Sequence, residues 1–152
     1  MLLPSQTRPV IRRELARRVV WESVAVSSKY PGRFQLELDQ NTWPAWHGAV
    51  PVEGRDVPVI VTYPPAYPAQ PPTLETTTAL APGCPHVLGH NGDRTILCWI
   101  SHRARSPRRC WQPQRHTAAT VMRAAQRWFL AFLVWQALGE WPVPDAWDVE
   151  DV

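Results

Sequence analysis

The chain has 152 residues, of which 45% are hydrophobic and 19% charged. That is enough length for a buried core, and the balance excludes a disordered or fibrous chain. A formal net charge of +3 is too mild by itself to argue nucleic-acid binding.

The 17 prolines imply long fixed loops between a modest number of regular elements. Among the 16 cationic residues only Lys29 is a lysine. Codon usage in a GC-rich genome explains this, and so does avoidance of nucleophilic amines in a protein that carries a reactive acyl group. Three cysteines, an odd number, and the lack of a continuous apolar leader point to a reducing cytoplasm rather than a disulfide framework.

Residues 8–19, RPVIRRELARRV, fit a short basic helix with Val10, Ile11, Leu15 and Val19 on one face. Three strand-like runs follow, VVWESVAVS (19–27), RFQLELDQ (33–40) and DVPVIVTY (56–63), with a hairpin signal, SKYPG, between the first two. PTLETTT (72–78) reads as a fourth strand. Residues 79–115 hold no sustained period and read as one long loop, which inside a compact domain is usually functional.

The main helix is expected over 117–138, with Thr117 as N-cap and Val121, Ala125, Trp128, Phe132 and Trp135 forming its apolar face. Gly139 can close it in a left-handed cap, and Pro142 blocks its continuation. The apolar run WFLAFLVW (128–135) is far shorter than the roughly 20 residues of a membrane span. The whole reads as a single α+β domain: an N-terminal helix, a four-stranded antiparallel meander, a long loop and a C-terminal helix. Its core is about residues 8–138, with an acidic tail over 143–152.

Cys84, His86, His90, Cys98, His102 and Cys110 crowd the long loop, but they show none of the tight paired spacing of a structural zinc site, so no metal or other cofactor is expected. The stretch HNGDRTILCWI (90–100) leaves Cys98 either as a small core residue or as a nucleophile.

The Pro-rich stretch YPPAYPAQPP (63–72) sits directly after a strand. PTLETT, NGDRTILC with Gly92 and the Leu97–Cys98 pair, Trp111-Gln112-Pro113 and the long helix follow it in order. This succession resembles the ubiquitin-conjugating enzyme (UBC-fold) superfamily, over roughly residues 8–138. The resemblance implies that Cys98 accepts the C-terminal glycyl group of a ubiquitin-like protein as a thioester and passes it to an amine. An activating (E1-like) enzyme would act upstream, and no nucleotide or metal would be needed on the chain itself.

The usual His-Pro-Asn triplet is absent. Counting back from Cys98, His90 falls at the place of the oxyanion-stabilising Asn, with Asn91 beside it, and His86 of Pro-His-Val is a further candidate for orientation or proton transfer. Each of these residues equally suits a loop-structuring hydrogen bond. The acidic residue that in the family lies downstream of the Cys and assists the attacking amine has no clear counterpart in this sequence.

SHRARSPRRC (101–110) brings Arg103, Arg105, Arg108 and Arg109 near Cys98, either as a solvated basic loop or as a landing site for an acidic partner. It lacks the interleaved aromatics that stack bases, so a protein partner is expected rather than nucleic acid, and no membrane. These departures, with the GEWP ending, resemble bacterial members of the superfamily found in antiphage operons. Some of those act with ubiquitin-like proteins, and others attach a cyclic-nucleotide synthase through its C-terminus (CBASS). A non-catalytic interaction module of the same fold is the alternative.

Overall fold

A computed structural model describes residues 13–38, 43–100 and 110–142. The elements run α1 (Arg13–Lys29), β1 (Phe34–Glu37), β2 (Ala45–Val52), β3 (Arg55–Thr62), β4 (Thr73–Thr76), β5 (Val87–Asn91), β6 (Arg94–Leu97) and α2 (Ala118–Leu138). The six strands form one sheet in the order β1-β2-β3-β4-β6-β5, with every neighbouring pair antiparallel. The expected α+β order is present: a helix, a four-stranded meander (β1 to β4) and a closing helix.

Three elements differ from the sequence expectation. Residues 19–27 are not a strand but the second half of α1, since Leu15, Val19, Glu22 and Val26 are buried at helical spacing. Their β-branched content is outweighed by a face that docks on α2. The SKYPG segment therefore joins a helix to β1. The place of the lost strand is taken by β2, AWHGAVPV, whose full eight-residue register with β3 tolerates Pro51. The carbonyl of Pro51 accepts from Gln126 Nε2 at 2.9 Å, tying β2 to α2. The long loop contains the β5–β6 hairpin, turned by Asn91-Gly92-Asp93-Arg94 with Gly92 at φ 63°.

One face of the sheet is buried in the core that it shares with α2. Val50, Val59, Val61, Leu74 and Leu97 pack under Val121, Met122, Ala125 and Trp128 of α2. Thr117 caps that helix, accepting from the Ala119 N–H, and Thr120 Oγ1 accepts from the Thr117 N–H in return. Gly139 ends the helix at φ 77° and sends its N–H to the Trp135 carbonyl, as the sequence suggests. No helix among the described residues is long and apolar enough to cross a membrane.

Gly48 is the tightest point of the sheet. A Cβ there would run into the Arg33 carbonyl oxygen and lie 2.9 Å from Phe34 Cα, both backbone atoms of the neighbouring strand segment. Gly48→Ala is expected to cost about 3 kcal/mol in a denaturant titration, and a cost below about 1 kcal/mol would show that β1 yields freely.

One buried carboxylate joins the elements. Glu22 on α1 is fully enclosed. Its Oε1 accepts from the Ala118 N–H at 2.6 Å, at the first turn of α2, and from the Tyr63 hydroxyl at 3.2 Å. Its Oε2 accepts from Arg18 Nε at 2.9 Å and from the Tyr67 hydroxyl. Trp46 Nε1 donates to the Tyr63 oxygen at 2.8 Å, and an Arg18 guanidinium nitrogen donates to the His116 carbonyl at 2.8 Å. The anion thus has four donors and sits at the positive end of a helix dipole, which is what makes its burial tolerable.

Candidate active site

Tyr63 and Tyr67, the two tyrosines of YPPAYPAQPP, are the ones that hold Glu22, so the Pro-rich loop is fixed from inside. Two tryptophans fix it from the other side. Trp99 Nε1 donates to the Pro72 carbonyl at 3.1 Å, and Trp111 Nε1 donates to the Pro68 carbonyl at 2.7 Å. Prolines cannot donate but leave their carbonyls as acceptors, and indoles are donor-only groups, so the pairing is chemically matched. The Trp99 and Trp111 rings meet edge to face at 6.2 Å, and Tyr67 lies 6.0 Å from Trp111.

Cys98 stands beside the first of these anchors, directly after β6 and before the buried Trp99 and Ile100. The residue is half-buried, its N–H donates to the His86 carbonyl at 2.8 Å, and its Sγ lies 3.7 Å from the Ile100 carbonyl oxygen. Pro71, Pro72, Leu88, Trp99 and Ile100 join it around one shallow, mostly apolar cleft. A cysteine of the closed core would be fully enclosed; Cys98 instead lines an opening framed by rigid loop segments.

The three other residues expected to serve Cys98 are placed differently. His86 is brought to it, by its carbonyl. His90 and Asn91 are not. His90 is paired with Thr95, with Nδ1 3.4 Å from Thr95 Oγ1, and Asn91 is paired with Arg94 at the hairpin tip. Cys98 lies three residues up the strand from Thr95, a rise of about 10 Å. An irregular loop could bring residues 90 and 91 back to the thiol, but the paired hairpin sets them toward its far end.

His90 instead lines a second cleft with Cys84, Val87, Thr95 and the 80–83 segment. Burial pushes the Cys84 thiol up, so it is less ionised at neutral pH than an ordinary cysteine. Among the described residues no three His, Cys, Asp or Glu side chains gather around a position that a metal ion would take. Arg103, Arg105, Arg108, Arg109 and His102, together with the acidic tail over 143–152, lie outside the described residues.

Two residues of the site carry no motif in the sequence. Glu22 lies within a stretch that reads as a strand, and Trp141, in the GEWP ending, packs its ring 4.8 Å from that of His86. Only the resemblance to the bacterial proteins drew attention to GEWP, and nothing in the sequence tied it to His86.

No protein-family model matches the chain, and no curated protein matches it. Among solved structures, that of the human ubiquitin-conjugating enzyme E2 G1 is similar at a TM-score of 0.49 and 24% identity, covering 80% of this chain and 96% of that one.

Proposed function

We propose that this chain is an E2-like acyl carrier with Cys98 as its nucleophile. The observation that carries the reading is the setting of Cys98: half-buried at the end of β6, in an apolar cleft lined by Trp99 and by Pro71 and Pro72 of the Pro-rich loop, where the Trp99 indole donates to the Pro72 carbonyl. The order of motifs along the chain supports the same assignment.

In the first step the Cys98 thiolate attacks the thioester carbonyl of a loaded activating enzyme. The tetrahedral intermediate collapses, expelling the activating enzyme's thiolate and leaving the glycyl group on Sγ. In the second step a target amine attacks that carbonyl and expels the Cys98 thiolate, while the amine's proton passes to solvent or a base. His86 serves through its carbonyl, which orients the Cys98 backbone. His90 and Asn91, on the far part of the hairpin, are not assigned the oxyanion. The carried group is the C-terminus of a ubiquitin-like protein or of a cyclic-nucleotide synthase, in a bacterial antiphage operon and in the cytoplasm. Arg103, Arg105, Arg108 and Arg109 are assigned to docking an acidic surface of the partner.

Incubation with the activating enzyme and modifier of its operon plus ATP, followed by a non-reducing gel, tests the reading. Wild type is expected to form an adduct that a thiol reductant removes. Cys98→Ala should form none, and Cys98→Ser should form a reductant-resistant oxyester. Absence of any adduct on wild type would favour the non-catalytic interaction module.

A further inference from the structure

His86 is a non-glycine residue at φ 58°, a left-handed conformation that L-residues adopt uncommonly and that the surrounding structure must support. It immediately precedes β5, and Cys98 immediately follows β6. The bond from the Cys98 N–H to the His86 carbonyl is therefore the last rung at the open end of the hairpin, a position that ordinarily frays. Next to this rung β5 is irregular, with a register shift between Val87 and Gly89.

What packs against this weak point comes from the other end of the chain. The left-handed cap at Gly139 turns the backbone, and Trp141 lies 5.2 Å, ring to ring, from Trp128. Trp128 sits ten residues, or about 15 Å, back along α2 from Leu138, so the chain has folded back beside the helix. On its other side the Trp141 ring meets His86 at 4.8 Å with a 40° interplanar angle. Among the described residues Trp141 Nε1 is buried without a hydrogen-bond partner, and the printed contacts of its indole are the rings of Trp128 and His86.

We infer that Trp141 is a positioning residue for Cys98, which it serves by holding His86 in its left-handed conformation and so keeping the last rung of the hairpin closed. The residue chain runs from the buried interior of α2 through Trp128, Trp141 and His86 to the backbone of the thiol. Without the indole, residue 86 relaxes toward ordinary φ, its carbonyl turns from Cys98, and the backbone that presents Sγ loses its anchor.

Amide hydrogen exchange on the whole protein, read residue by residue, tests this. Trp141→Ala is expected to speed exchange at the Cys98 amide about tenfold while leaving the β3–β4 amides within about twofold. Trp141→Phe, which keeps a ring, should restore most of the protection. In a His86→Gly background the backbone adopts positive φ without help, so there Trp141→Ala should change Cys98 exchange by less than about twofold.

The inference is overturned by unchanged exchange at Cys98 in Trp141→Ala, by acceleration shared equally with the β3–β4 amides, or by an undiminished effect in the His86→Gly background. The role rests on Cys98 being the acyl acceptor, but the exchange measurement needs no partner protein. A failed adduct assay and a failed exchange result are therefore separate outcomes.

Discussion

Glu22→Ala is expected to remove about 3–5 kcal/mol of folding stability, a large fraction of the about 5–15 kcal/mol that holds a typical domain folded. The loss does not come from a missing methylene. The substitution leaves the Ala118 N–H, the Tyr63 and Tyr67 hydroxyls and the Arg18 guanidinium facing an enclosed space that has lost its acceptor. Each buried donor without an acceptor costs about 1–3 kcal/mol, and a charged one more. Because those donors belong to α1, the Pro-rich loop and α2, their loss loosens three elements together.

Glu22→Gln separates charge from shape. The amide fills the same volume and can still accept at one oxygen, but its NH2 must face either the Arg18 guanidinium or the Ala118 N–H, donor against donor. About 2 kcal/mol is therefore the expected cost. Guanidinium titration of both variants measures the difference. If Ala and Gln each cost less than about 1 kcal/mol, the carboxylate is not the joint described here.

The ends of α2 were readable because its stop and start are local: Thr117, Thr120 and Gly139 act within a turn of themselves. α1 was half-hidden because the evidence that 19–27 is helical is distant. Glu22 finds its partners at Tyr63, Tyr67 and Ala118, and a run rich in valine and alternating polar residues reads as strand without them. β2 is hidden in the sequence because Pro44, Gly48 and Pro51 are of the types that normally punctuate strands. Here Gly48 is demanded by close approach of the Arg33–Phe34 backbone, and the Pro51 carbonyl is used by Gln126.

The site divides in the same way. Cys98 and Trp111 stand out by motif order, which depends on succession along the chain, but the bond from Trp111 to the Pro68 carbonyl does not. The environment of His90 is not legible in the same way, because whether the polar turn at Asn91–Arg94 joins two paired strands or only bends a loop decides whether its side chain sits beside Cys98 or several residues away. The contact of Trp141 with His86 left no trace at all, since it depends on how the chain folds back after Gly139. Local chemistry was legible, and the long-range contacts that hold the thiol were not.

The second large effect is expected at alkaline pH. Burial pushes the Tyr63 and Tyr67 phenols far above the usual tyrosine range, and the nearby Glu22 carboxylate adds to both shifts; burial also raises Tyr30. These are all three tyrosines of the chain. Unfolded, each releases its proton near pH 10; folded, Tyr63 and Tyr67 keep theirs well beyond it. A folded-state pKa above the unfolded one gives stability that is complete below pH 10 and lost as pH rises. The slope is about 1.4 kcal/mol per pH unit for each such group. Two phenols together remove about 4 kcal/mol by pH 11.5, comparable to the whole stability of a marginal domain. The protein should therefore unfold steeply in alkali, with phenolate absorbance rising together with the loss of helical circular dichroism rather than ahead of it. Tyr67→Phe should lower stability at pH 8, because Glu22 loses a donor, yet flatten the alkaline slope by about half. Phenolate appearing near pH 10 in protein that is still fully helical would mean that the two hydroxyls are not held in the enclosed network around Glu22.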